Sequence, residues 1–219
     1  MNRQRVQSKL VAVALVLATV LAVPAFAQGT VVLPITDARA RVAVEREIAQ
    51  AAARGLPVRP LIAKAMEGIA KQASGALIQA AVASKAKRLG QAQSLLAPSP
   101  SEVELIAGAD ALEVGVPAPM LKQVRAAWPD GRSVAMPLDV LTELVARGVP
   151  PRSALEQITN LMSRGATPTQ IASLGAAVQA DVAAGLTPDA ALEVRARGVM
   201  SLLPSPATQV RAAPRDPRL

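Results

Sequence analysis

Lys64, Glu67 and Lys71 stand three and four residues apart, a spacing that places side chains on one face of a helix. A cation, a carboxylate and a second cation in that order can line a charged groove for a partner. They can also form a solvated, salt-bridged face, which is the commoner arrangement because exposed ion pairs contribute little. Lys85, Lys87 and Arg88 make the densest basic cluster. Such a cluster suits anionic lipid headgroups or another polyanion. With no aromatic residue interleaved, an ordinary solvated face near a helix end has the same pattern. Trp128 precedes the turn Pro129-Asp130-Gly131. It is either an exposed anchor of the kind that dominates interfaces or a plug in the core between two halves of the chain.

The catalytic inventory is thin. The chain has no histidine and no cysteine, so Ser-His-Asp catalysis, thiol nucleophiles and the common transition-metal ligands are all missing. Carboxylate chemistry alone needs two acids in a cleft with separated proton affinities. Here the acids mostly sit one helical turn from a base or at a helix start. No glycine-rich phosphate cradle and no dinucleotide fingerprint occurs. Ser84 beside Lys85 formally offers a hydroxyl and an amine, but nothing else marks them as a dyad. These residues predict a protein that is not an enzyme and that takes no cofactor and no metal.

The first 27 residues read as an address. Arg3, Arg5 and Lys9 precede an apolar run from Leu10 to Val23. That run matches the roughly 7–15 residues of a secretory signal and falls short of the ~20 that span a bilayer. Pro24 ends it, and Ala25-Phe26-Ala27 supplies a small-x-small cleavage site. The predicted new N-terminus is Gln28, so Ala25, Ala27 and Gln28 flank the cut. The arginines are not adjacent, so the twin-arginine signal is absent, and no cysteine is available for a bacterial lipid anchor. A Sec-type export signal, a periplasmic or secreted product and no transmembrane segment after cleavage follow as expectations.

What remains is about 190 residues, enough for one core. The +8 of the whole chain falls to about +5 once the three leader cations are lost, with both signs interspersed. That moderate field favours anionic surfaces weakly and does not call for nucleic acid. There is no tyrosine, and the single phenylalanine leaves with the leader, so Trp128 is the only remaining aromatic. Alanine, valine, leucine, isoleucine and methionine must build the core.

Those residues recur at helical spacing, and glycine and proline punctuate them. Gly55-Leu56-Pro57, Gly115-Val116-Pro117, Gly148-Val149-Pro150, Gly165-Ala166-Thr167-Pro168 and Gly185-Leu186-Thr187-Pro188 share one plan. A left-handed glycine stops a helix, an apolar residue folds back on the last turn, and proline opens the next helix. Arg54, Arg147, Arg164 and Arg197 each precede a glycine, where a cation complements the negative helix end. Thr36, Ser74, Ser99 and Thr167 are candidate N-caps, with capping boxes expected at Ser99/Glu102 and Thr167/Gln170. Gly68 in mid-helix suggests that another backbone packs there.

The predicted architecture is all-α: a compact or slightly curved array of about eight short helices. Residues 28–97 form an N-terminal half of about three helices. Residues 98–203, after Ala97-Pro98-Ser99-Pro100, form a second half of about five. Residues 204–219, rich in proline and arginine, form a disordered tail.

The Gly55-Leu-Pro turn, the run Lys64-Ala-Met-Glu67-Gly68-Ile-Ala-Lys71 and the turns Arg147-Gly-Val-Pro and Arg164-Gly-Ala-Thr-Pro resemble exported, alanine-rich helical proteins of GC-rich Gram-negative bacteria, a group without an assigned activity. The resemblance implies export and helicity and carries over no ligand or catalytic residue. Together these readings predict an exported interaction module that binds a protein or an envelope polymer through one face of the array. A peripheral envelope-binding protein held by its basic residues is the first alternative, and a carboxylate-based hydrolase the second.

Overall fold

Six helix ends share one hydrogen-bonding device. At Gly55, Gly115, Gly148, Gly165 and Gly185 the backbone is left-handed, with φ of 72°, 94°, 92°, 82° and 101°. Each glycine N–H donates to the carbonyl three residues back, and the next N–H reaches five residues back, as Leu56 does to Ala51 and Val149 to Leu144. This is the Schellman arrangement, and it satisfies carbonyls that a helix end leaves open. The apolar residue that follows is buried at Leu56, Val116, Val149 and Ala166, whereas Leu186 stays 41% exposed. The sixth example uses Gln72 at φ 54°, with Ala73 N–H donating to Gly68.

A computed structural model describes residues 32–128 and 131–203. The expected export leader, the expected cleavage residues Ala25, Ala27 and Gln28, and the tail 204–219 lie outside the described residues. Among the described residues the fold is all-α: α1 Ala38–Ala53, α2 Arg59–Ala70, α3 Gly75–Leu95, α4 Glu102–Glu113, α5 Ala118–Ala127, α6 Ala135–Ala146, α7 Pro151–Ser163, α8 Pro168–Ala183 and α9 Pro188–Ser201. Three helices precede the proline-rich break after α3, and six follow it. None of the described helices is long and apolar enough to cross a membrane.

Successive helices pack chiefly at α2–α3, α3–α4, α6–α7 and α8–α9, with little contact at α4–α5 and α7–α8, and a second set of contacts skips one. α1 meets α3, α3 meets α5, α4 meets α6, α5 meets α7, α6 meets α8 and α7 meets α9. The odd-numbered helices therefore form one row and α4, α6 and α8 a second, with one core between them. α3, the longest helix, touches α1, α2, α4 and α5. The helices on either side of the proline break, α3 and α4, pack closely: a Cβ at Gly108 would lie 3.0 Å from both the Ala92 Cβ and the Leu96 Cδ1. Leucines fill most of the fully buried volume, with Leu61, Leu89, Leu121, Leu141 and Leu174 at 0% exposure.

Several local expectations need correction. α1 is capped by Asp37, which accepts from the Arg39 and Ala40 amides, rather than by Thr36. The capping box of α4 is Ser101/Glu104 and not Ser99/Glu102. Both pairs have the required spacing, but the second places Glu104 where it also accepts from Arg125 of α5, at 2.5 Å, and from the Val134 amide before α6, at 2.9 Å. Gly198 stops nothing: it lies inside α9, where Arg197 pairs with Glu193 at 2.6 Å. At Gly68 the close neighbour is a side chain rather than a backbone, since a Cβ there would lie 2.8 Å from the Ile78 Cγ1. Thr167/Gln170 and Ser74 cap as expected.

Candidate functional site

The two charged motifs of the sequence meet in one groove. Lys64 and Glu67 come from α2, Lys85 from α3, Asp110 and Glu113 from α4 and Thr142 from α6, around about 520 Å³. Ile106 and Val114 give the same groove an apolar wall. We call it groove I.

Its charges are linked across helices. Lys64 donates to Glu67 at 3.1 Å and to Glu113 of α4 at 3.3 Å. Lys71 pairs with Glu67 at 2.5 Å. Lys85, only 7% exposed, is held by Asp110 and, at 3.2 Å, by Glu113. Arg88 stands 3.6 Å from Glu113. The helical period explains this grouping: residues 85 and 88 share the face of α3 that looks at α4.

These contacts set the ionisation of the groove. Burial alone would raise the Glu113 carboxyl, but the charge of Lys85 and hydrogen bonds from Lys85 and Lys64 outweigh it and hold the group below its usual range. Glu67 is lowered by its hydrogen bonds from Lys71 and then Lys64. The hydrogen bond to Glu67 is the largest cause that raises Lys64. Asp139, on α6 one turn before Thr142, moves the other way. Loss of solvent around its carboxyl, and then the charge of Asp110, raise it.

Lys87 parts from its neighbours. It is exposed and lines a second depression of about 600 Å³, groove II, where α1, α3 and the start of α5 meet. The basic cluster of the sequence is therefore divided between two sites and presents no continuous cationic surface. Trp128 is 4% exposed, at the end of α5, and the Arg132 guanidinium lies 5.3 Å from its ring centre. It offers a partner no open ring.

Sequence reasoning missed Asp110, Glu113 and Thr142. Asp110 and Glu113 are an i, i+3 pair of acids on α4, which is a visible signal. Their shared cation, Lys85, lies 25 and 28 residues away on α3, and only the packing of the two helices joins them. Among the described residues, no three acids stand together in a way that could hold a metal ion. Set beside known proteins, the chain matches no family model, no curated protein and no solved structure.

Proposed function

We propose that this protein is an exported, non-enzymatic interaction module that binds a protein partner through groove I. The convergence of charged side chains from α2, α3 and α4 on that groove carries the reading. A buried lysine held by two acids is a weak source of stability, because desolvation offsets the attraction, and apolar residues of similar volume often serve as well. The other buried charge, Glu104, joins α4 to α5 and to the start of α6, whereas the Lys85 network opens onto a groove and is better accounted for by recognition. A protein partner is favoured over an envelope polysaccharide on chemical grounds. Sugar rings pack their apolar faces on exposed aromatics, and the one described tryptophan is buried.

The hydrolase alternative draws less support. Glu67, Asp110 and Glu113 each face a cation, and the shifts resolved at Glu67 and Glu113 are both downward. Asp139 is shifted toward the protonated form, but the acid beside it is already tied to Lys85.

Export is tested by sequencing the N-terminus of the processed protein, expected to begin at Gln28. Partner binding is tested by cross-linking in envelope fractions. The wild type and Glu193→Ala, altered on α9, are expected to recover the same partner. Lys64→Ala and Glu67→Ala should recover at least tenfold less. Equal recovery by all four proteins, or no specific product from any, would refute the assignment to groove I. Release of the whole protein by moderate salt alone would favour a peripheral electrostatic attachment instead.

A further inference from the structure

We infer that groove II is a second, separate recognition site, and that it takes a carboxylate-bearing peptide segment. Groove I is internally neutralised, as its cations and acids already hold one another. Groove II is not. Arg54 at the end of α1 and Lys87 on α3 face it together with a single acid, Glu47. Arg54 approaches Glu47 only at 3.9 Å and otherwise donates to its own Gln50 carbonyl at 3.3 Å. Lys87 has no ion pair among the described residues. Two cations against one loosely held acid leave a net demand for an anion, and the planar guanidinium fork of arginine suits a carboxylate.

The rest of the groove suits a peptide. Gln91 and Gln93 bring amides that both donate and accept, and Ser94, whose hydroxyl donates to the Gly90 carbonyl at 3.3 Å, adds an acceptor, as a peptide backbone requires. The floor is made of small side chains at Ala83, Gly90 and Ala118, so an extended chain could approach closely. At Gly90 a Cβ would meet only the Leu56 Cδ1, at 4.0 Å, so the depression is open at its centre. Stacked bases and sugar faces find no aromatic surface here. A carboxylate-rich peptide is therefore the occupant that the charge and the hydrogen-bonding groups fit.

The test uses the full-length gene product purified from expressing cells. It is titrated with a fluorescein-labelled Gly-Glu-Gly-Glu-Gly peptide and with the same peptide carrying glutamine for glutamate. The acidic peptide is expected to bind at least tenfold tighter. Arg54→Gln and Lys87→Gln should each weaken it by a similar factor, and Gly90→Gln, which fills the floor without a close contact, should abolish it. Lys64→Ala, in groove I, should leave it unchanged, which keeps this site distinct from the proposal for groove I. Equal affinity for the two peptides would overturn the inference. So would binding that survives Gly90→Gln or is lost in Lys64→Ala, or no binding at millimolar peptide.

Discussion

At the scale of single residues, Glu104 shows how one side chain can fix three helices. Its carboxylate accepts from the Ser101 amide at 2.8 Å, the Val134 amide at 2.9 Å and Arg125 at 2.5 Å, and it is 5% exposed. Burial would raise its carboxyl, but the bonds from the Ser101 and Val134 backbone, and then Arg125, hold it below the usual range. A carboxyl lowered on folding contributes stability that is present above its unfolded value and lost as pH falls through the folded one. Stability should therefore decline below about pH 4.3, the ordinary glutamate value. Glu104→Gln should flatten that decline in urea titrations run across acid pH. At neutral pH, Glu104→Ala should cost about 3–5 kcal/mol, because Arg125 and the Val134 amide lose their shared partner. An unchanged acid limb in Glu104→Gln would assign the acid sensitivity to other groups. Gln72 makes the opposite case. At φ 54° it occupies a conformation that glycine holds at the five similar turns, so Gln72→Gly should stabilise the fold by roughly 0.5–1 kcal/mol. Calorimetry should show a melting point about 2 °C higher, and a lower one would mean that the glutamine side chain makes an undetected contribution.

At the scale of helices, the punctuation was legible and the pairing was not. Glycine at a helix end announces a left-handed residue whatever surrounds it, so five of the stops could be read directly from the chain. The stop at Gln72 could not, because no local signal separates that glutamine from any other. Gly198 looked like a stop and is not one, since apolar residues of α9 on both sides of it meet the core, Ala196 before it and Val199 and Met200 after it. Ser99/Glu102 and Ser101/Glu104 are equivalent by spacing, and only the tertiary partners Arg125 and Val134 decide between them. Interior glycines also carry information that spacing hides. A Cβ at Gly75, the first residue of α3, would sit 2.5 Å from the Ala40 Cβ and 3.2 Å from the Asp37 Cβ. Neither atom can rotate away, so Gly75→Ala should push α1 from α3 and cost about 1–3 kcal/mol. Gly90→Ala, on the same helix but facing open space, should gain up to about 1 kcal/mol from helix propensity. Chemical denaturation of the pair provides the check, since propensity alone would move both proteins in the same direction.

At the scale of the molecule, the question is whether the proline break after α3 divides the chain into parts that unfold separately. The described residues all belong to one compact unit, and the packing argues for a single transition. α3 and α4, on opposite sides of the break, meet at Gly108 so closely that a Cβ there would lie 3.0 Å from both Ala92 and Leu96 and make them give way. The network of groove I then ties α2 and α3 to α4 through Glu113. Neither contact was visible in the sequence, because each joins residues that topology alone brings together. A close-packed interface of this kind resists opening in part, because a gap of about 0.5–1 Å already forfeits roughly a quarter to a half of its dispersion attraction. Trp128 lies beyond the break, buried at the end of α5, and reports on the second group of helices, whereas far-ultraviolet circular dichroism reports on all of them. In guanidinium the two signals should give the same midpoint and slope, as two-state unfolding requires. The native emission should be blue-shifted and protected from acrylamide by the burial of the ring. If α1 to α3 formed a separable half, circular dichroism would lose amplitude while Trp128 remained buried, and the close contact at Gly108 would then be too weak to hold the two groups of helices together.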